Sequence, residues 1–267
     1  MFLFKPIMEK IRISAVSYLN TRPFVYGLQH SDLIRSIDLS LDIPSLCASK
    51  LSAGHADIGL IPVAAITDVP NAKIISNYCI ASSGKVRTVV LLSNVPLQEI
   101  SRIILDYQSR TSVQLVQVLA RDYWKINPVW ENGQQGYMEG DLEKTTAIVV
   151  IGDRVFEAEN RFAYCYDLGE AWKNFTGYDF VFACWIANKT IDIDFLSEFN
   201  RALAHGLLHM DEVIGECEKD YPDYHLNEYF YRNICFAFDD SKRKGLELFL
   251  KLNTGINIKT SWSCVTS

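Results

Sequence analysis

The chain has 267 residues, which at about 150 residues per domain points to roughly two domains with a core that needs no disulfide or metal staple. Hydrophobic residues make up 49% and charged residues 22%, a balance that excludes collagen, coiled coil and wholesale disorder. Its 26 Lys and Arg against 32 Asp and Glu give a net charge of -6; with no basic run, the chain is expected to bind neither nucleic acid nor an anionic membrane surface.

The N-terminal Met1–Lys10 segment carries one short apolar patch broken by Lys5 and Pro6, without the features of a secretory signal. No stretch approaches the roughly 18 apolar residues of a membrane span, so a cytoplasmic location is expected. The cysteines are Cys47, Cys79, Cys165, Cys184, Cys217, Cys235 and Cys264. Their number is odd and no spacing matches a zinc site, which fits reduced thiols and no metal.

Ile11–Val16 reads as the first strand. It ends in Ser17-Tyr18-Leu19-Asn20, and Pro23 suits the first turn of a helix. Ile37, Leu39, Leu41 and Ile43 alternate with polar residues, as in a half-buried strand. A short helix follows from Pro44, with Ser45 as its expected N-cap and Gly54 at its end. Strands are predicted over Asp57–Ile61, Ile74–Ile80 and Val86–Ser93.

A second strand–helix series begins at Arg102–Leu105. Thr111–Trp124 has helical spacing at Val113, Val116, Leu119 and Tyr123. Ala147–Ile151 reads as a buried strand ending in Gly152-Asp153, followed by a strand at Tyr164–Leu168, a helix at Gly169–Phe175 and an apolar strand at Phe180–Ala187. All that follows reads as helix, the last over Asp239–Leu252, with a loose tail from Asn253. Strands alternating with helices imply mainly parallel sheets, and the two long apolar strands bracket the middle segment. The expected organisation is one lobe from residues 1–92 and 185–267 and an inserted lobe from 93–184. The loops at the carboxyl ends of strands are the expected cleft.

Several segments have the composition of a site. Ser109-Arg110-Thr111-Ser112 opens a helix, where free N–H groups, hydroxyls and a guanidinium suit a carboxylate or phosphate; an ordinary N-cap with a surface Arg fits as well. Asn20 both donates and accepts, though simple helix capping explains its loop too. Ser82-Ser83-Gly84-Lys85 is not a P-loop, because Cys79 and Val86 stand where Gly and Ser/Thr are required; a turn exposing backbone donors remains. His205 and His209 lack the Glu of an H-E-x-x-H site. No Ser–His–Asp order is present, and the Tyr221–Tyr231 run reads as helix and core packing.

Taken in order, S-Y-L-N-T-R-P (Ser17–Pro23), the helix Pro44–Gly54 followed by A-D-I-G-L-I-P-V (Ala56–Val63), G-K-V-R-T-V (Gly84–Val89), S-R-T-S (Ser109–Ser112), G-D-R (Gly152–Arg154), D-L-G-E-A-W-x-x-x-T-G (Asp167–Gly177) and F-V-F-A-x-W (Phe180–Trp185) resemble the chorismate dehydratases of the futalosine route to menaquinone. The resemblance implies an α/β fold of two lobes, like type 2 periplasmic solute-binding proteins, with a ligand cleft between them. It implies a hydro-lyase that converts chorismate to 3-[(1-carboxyvinyl)oxy]benzoate without cofactor or metal. Asn20 and Thr88 carry over as catalytic, Thr88 where some relatives have Ser. The expected substrate-binding residues are Ser17, Ser45, Ser83, Gly84, Val86, Ser109, Arg110, Thr111, Ser112, Gly152 and Asp153. The rivals are the sister 1,4-dihydroxy-6-naphthoate synthase and a non-catalytic solute-binding protein. The expected partner is a small dicarboxylate; the sequence does not fix the oligomeric state, a homodimer included.

Overall fold

The computed structural model describes residues 10–140 and 142–254. The N-terminal patch, Cys264 and the tail beyond Thr254 lie outside these residues. Strands β1 (Ile11–Val16), β2 (Ile37–Asp42), β3 (Ile58–Pro62) and β4 (Lys73–Ser82) come first. β5 (Val89–Ser93), β6 (Arg102–Leu105), β7 (Val129–Asn132), β8 (Thr146–Ile151) and β9 (Tyr164–Asp167) follow, and β10 (Phe180–Ala187) and β11 (Cys235–Ala237) close the series. They form two sheets, ordered β11-β4-β10-β3-β1-β2 and β7-β6-β8-β5-β9.

The helices are α1 (Arg22–Gln29), α2 (Pro44–Ser52), α3 (Arg110–Val118), α4 (Arg154–Ala158), α5 (Leu168–Thr176), α6 (Ile193–Leu208), α7 (Met210–Cys217), the single turn α8 (Leu226–Glu228) and α9 (Asp240–Thr254). Two π-helical turns, Leu119–Trp124 and Tyr229–Asn233, continue α3 and α8. The expected helix Thr111–Trp124 is therefore α-helical only to Val118. It ends at Lys125 in the left-handed region, φ 56°.

Both sheets are mixed, which corrects the expectation of mainly parallel pairing. β1, β2 and β3 run parallel, as do β6, β7 and β8, each set joined by helical or long connections. β10 is antiparallel to β3 and β4, and β5 to β8 and β9. These are the strands that enter from the other sheet, so no strand–helix–strand crossover within their own sheet sets their direction. The chain leaves the first sheet after Ser82 and returns to it at Phe180; the expected lobe limits at 92/93 and 184/185 fall inside β5 and β10. β7 and β11 escaped sequence reading because edge strands of four and three residues are too short to display a period.

The second sheet is buried on both faces. Leu91, Ile103 and Val149 join the large core that runs through the first lobe, while Val90, Leu92, Ile148 and Val150 pack under Val155 and Ala158 of α4. That two-sided burial explains why β5 and β8 read as continuous apolar runs. In the first lobe, α1 and α6 approach so closely that a Cβ on Gly206 would lie 1.7 Å from the carbonyl oxygen of Pro23. His205 and His209 flank this crossing, stacked on each other at 4.0 Å beside Tyr26.

Candidate functional site

A cleft of about 480 Å³, its open side included, lies where the two sheets face each other. Val16, Ile80, Val86, Val89, Ile151 and Phe182 supply apolar walls; Tyr18, Asn20, Thr21, Thr88, Ser109, Ser112 and Gly152 supply polarity. None of its lining residues is a Lys, Arg, His, Asp or Glu.

Asn20 stands in the loop after β1, in the 3-10 turn Leu19–Thr21. Its Oδ1 accepts from the Thr21 hydroxyl at 3.2 Å. Thr88 stands just before β5 and is 1% exposed. Its loop, residues 83–88, is held by one carboxylate. Asp167 accepts from the backbone N–H of Val86 (3.0 Å) and Arg87 (2.7 Å) and caps α5 through Gly169 and Glu170 (both 3.0 Å). Burial pushes the Asp167 carboxyl up, and these N–H donors oppose it. The clamp holds Arg87 at φ 69°, a left-handed backbone costly for a residue with a Cβ. Along the loop, Val86 and Thr88 face the cleft, while Lys85 and Arg87 face a separate charged hollow with Glu159, Asp223, His225 and Glu228.

Also on the second-lobe side of the cleft, Ser109 is the N-cap of α3. Its Oγ accepts from Ser112 N (3.3 Å) and lies 3.2 Å from Ser112 Oγ. The α3 N-terminus thus presents two hydroxyls and the positive end of its dipole to the cleft. Thr111, one turn position away, faces the other lobe instead. It accepts from Ala64 N and donates to the Phe182 carbonyl, both at 3.2 Å.

More contacts join the lobes at the rim. Leu19 N–H donates to both carboxylate oxygens of Asp153 (3.1 and 3.2 Å), and Tyr221 donates to the same group at 2.7 Å. Burial raises the Asp153 carboxyl above its ordinary range, against these two donors. Ser45 N–H donates to the Gln108 carbonyl at 3.0 Å, and the Tyr18 hydroxyl donates to the Gln108 side chain. Burial pushes the Tyr18 phenol well above its usual range. Its ring lies on Gly152, whose φ is +65° and where a Cβ would stand 2.9 Å from Tyr18 Cε2. Only glycine meets both demands there without strain.

The structure therefore brings Asn20, Thr88, Val86, Ser109, Ser112 and Gly152 to one cleft and places the other candidates outside its lining. Arg110 is paired instead on the exposed surface, with its Nη1 2.5 Å from Asp68 Oδ2. Ser83 donates to Asp179 at 2.8 Å. Ser17 is exposed, and Gly84 forms the turn behind Val86 at φ 117°. Ser45 is no N-cap, because Pro44 takes the first helical position and Ile43 precedes it. Thr111 and Asp153 join the lobes as described.

Sequence reading missed Tyr229. The residue is 3% exposed, and its hydroxyl lies 3.1 Å from Thr88 Oγ1. Burial holds this phenol far from ionisation. In sequence Tyr229 is indistinguishable from the packing residues beside it, Leu226 and Phe230; only the tertiary contact reveals it.

A family model described as menaquinone biosynthesis matches residues 11–254, nearly the whole chain. The chain belongs to this menaquinone biosynthesis family. Its fold is the two-lobed α/β fold of periplasmic binding proteins, and solved structures share it at low identity. Protein AF1704 from Archaeoglobus fulgidus superposes with a TM-score of 0.68 at 15% identity, over 91% of this chain and 96% of its own. A Candida albicans protein, the CA3427 gene product, described as having the generic periplasmic binding protein fold, gives 0.58 at 12% over 94% and 92%. The alkanesulfonate-binding protein SsuA from Xanthomonas axonopodis pv. citri, solved with MOPS bound, gives 0.58 at 13% over 85% and 86%. At such identities the likeness establishes the fold alone. Among the described residues no helix of this family member is long and apolar enough to cross a membrane.

Proposed function

We propose that this member of the menaquinone biosynthesis family is a chorismate dehydratase, a hydro-lyase that forms 3-[(1-carboxyvinyl)oxy]benzoate and water. The observation that carries the reading is that Asn20, from the loop after β1, and Thr88, from the loop before β5, line one uncharged cleft that also holds the α3 N-terminus. The apolar walls suit a carbocyclic ring. The hydroxyls of Ser109 and Ser112 and the helix dipole suit a carboxylate.

The lining has no residue to act as a strong base, and a neutral amide is not one. The substrate brings its own. Its side-chain carboxylate takes the ring hydrogen from the carbon that bears the ether; that C–H electron pair becomes a ring double bond. The adjacent C–O bond breaks, and the departing hydroxyl, hydrogen-bonded by Thr88, receives the proton and leaves as water. Thr88 ends unchanged, and aromaticity makes the loss downhill. Asn20 orients the carboxylate at the ring hydrogen, so its contribution is positional. An uncharged pocket keeps the carboxylate basic, because no guanidinium or ammonium neutralises it.

Incubating the purified protein with chorismate tests the proposal. Loss of one water with an aromatic ultraviolet spectrum supports it. Chorismate bound and recovered unchanged would make the protein a binder like its structural neighbours, and inertness toward chorismate would favour the naphthoate synthase reaction; either result overturns it.

A further inference from the structure

Thr88 needs a defined hydroxyl direction, since a threonine O–H rotates freely unless its lone pairs are engaged. Among the described residues its side chain is hydrogen-bonded to Tyr229, at 3.1 Å. Tyr229 opens the π-helical turn Tyr229–Asn233, a distortion frequent at functional sites. The same turn grips the Thr88 loop a second time, through Asn233 Nδ2 donating to the Lys85 carbonyl at 3.2 Å. Packing fixes the ring from behind: Phe156 from the second lobe lies edge-on at 6.0 Å and Phe230 at 5.4 Å.

We infer that Tyr229 is a positioning residue whose hydroxyl, 3.1 Å from Thr88 Oγ1, aims the Thr88 proton into the cleft. Either hydroxyl can donate across this contact; with the Thr88 proton turned to the substrate, the single phenol proton goes to Thr88 Oγ1. Thr88 must spend its own proton elsewhere, and the cleft is the side it lines. A hydroxyl that accepts one hydrogen bond donates a stronger one, which is what a departing hydroxide requires. The buried phenol itself stays un-ionised and gives up no proton. The inference rests on the dehydratase reading for its chemistry but not for its geometry.

The test is a double-mutant cycle on chorismate turnover with Tyr229→Phe and Thr88→Ala. Tyr229→Phe keeps the ring and its packing. We expect kcat to fall roughly 10- to 100-fold with KM within about threefold, the range of a lost proton-positioning contact. In the Thr88→Ala background the second substitution should change kcat by less than about twofold. Independent, multiplicative losses, or a rise in KM alone, would show a merely structural tyrosine and overturn the inference. Tyr231→Phe, whose hydroxyl meets Asp211 on the surface, serves as control. The geometry is read separately, without substrate, by NMR. A slowly exchanging Tyr229 hydroxyl proton with cross-peaks to Thr88 supports the coupling even if chorismate is not turned over. Absence of that proton refutes the coupling even if it is.

Discussion

The two hollows on either side of the 84–88 loop are opposites. The one toward Val86 and Thr88 has no charged side chain, whereas the one toward Lys85 and Arg87 carries both signs, with Arg87 paired to Glu159 at 3.0 Å. A single strand-like alternation in the loop separates them. The Arg87–Glu159 pair there is partly solvent-exposed, so it contributes little. Removing charge from the first leaves dipoles as its only electrostatic instruments, and dipoles held rigidly in a dry site act strongly on a bound anion. The carboxylates that matter for the site sit behind it, as supports.

The sharpest way to break this contrast is Asn20→Ala. If the uncharged cleft works by oriented dipoles, kcat for chorismate should fall about 10²–10³-fold, in line with loss of one preorganised donor, while KM changes by less than tenfold. Steady-state kinetics decides it. Near-normal kcat would show that the polar residues of this cleft are only caps and that the chemistry lies elsewhere.

Next in size is Asp167→Ala, which removes the support rather than the tool. Four backbone N–H groups lose their acceptor, and Arg87 loses what holds it left-handed. We expect about 2–4 kcal/mol of destabilisation in urea unfolding and a turnover loss exceeding that of any substitution at Lys85. A loss confined to stability would mean the loop position is set by Tyr229 and Asn233 alone.

How far the sequence exposes this division depends on the range of the interactions. The loops at Ser17–Asn20 and Ser109–Ser112 were legible because local chemistry, a strand end followed by a capped or proline-started helix, specifies them. The two-lobe plan was legible from the apolar strands that bracket the middle segment. Strand direction was not, because it depends on where β5 and β10 enter their sheets. The direction of Arg110 was not legible for the same kind of reason: S-R-T-S tells which residue types start α3, but the neighbouring Asp68 decides which way the guanidinium turns. Tyr229 lies about 140 residues from Thr88 in sequence, with no local pattern linking them.

Acid should unmake the supports outside the cleft. At one end of β1, Asp57 accepts from Arg12 Nη2 and Lys189 Nζ, each at 2.8 Å, and from Arg12 N at 3.0 Å. Burial alone would raise its carboxyl; the two cations outweigh burial and bring it down to about 2. The folded value lies below the unfolded one of about 3.9. The stabilisation is therefore complete above roughly pH 5 and is lost as pH falls through about 2. Urea midpoints of the protein and of Asp57→Asn should differ most near neutrality and converge toward pH 2. A gap that stays constant with pH would mean the carboxylate charge contributes nothing.

The smallest expected effect is that of Arg110→Ala, and it discriminates well because the sequence pattern argues for the opposite. A guanidinium at the start of α3 is the obvious partner for a carboxylate, and its loss would then raise KM by 100-fold or more, as for a bidentate charged contact. The structure commits it instead to Asp68, with both side chains about half exposed, where an ion pair contributes roughly 0–1 kcal/mol. We therefore expect KM and kcat within about threefold of the parent and a thermal midpoint shifted by no more than a few degrees. The residual effect should shrink in high salt, because an exposed pair is screened. A large, salt-sensitive rise in KM would mean that Arg110 leaves Asp68 when the anion arrives, and that the cleft acquires its missing positive charge only in the bound state.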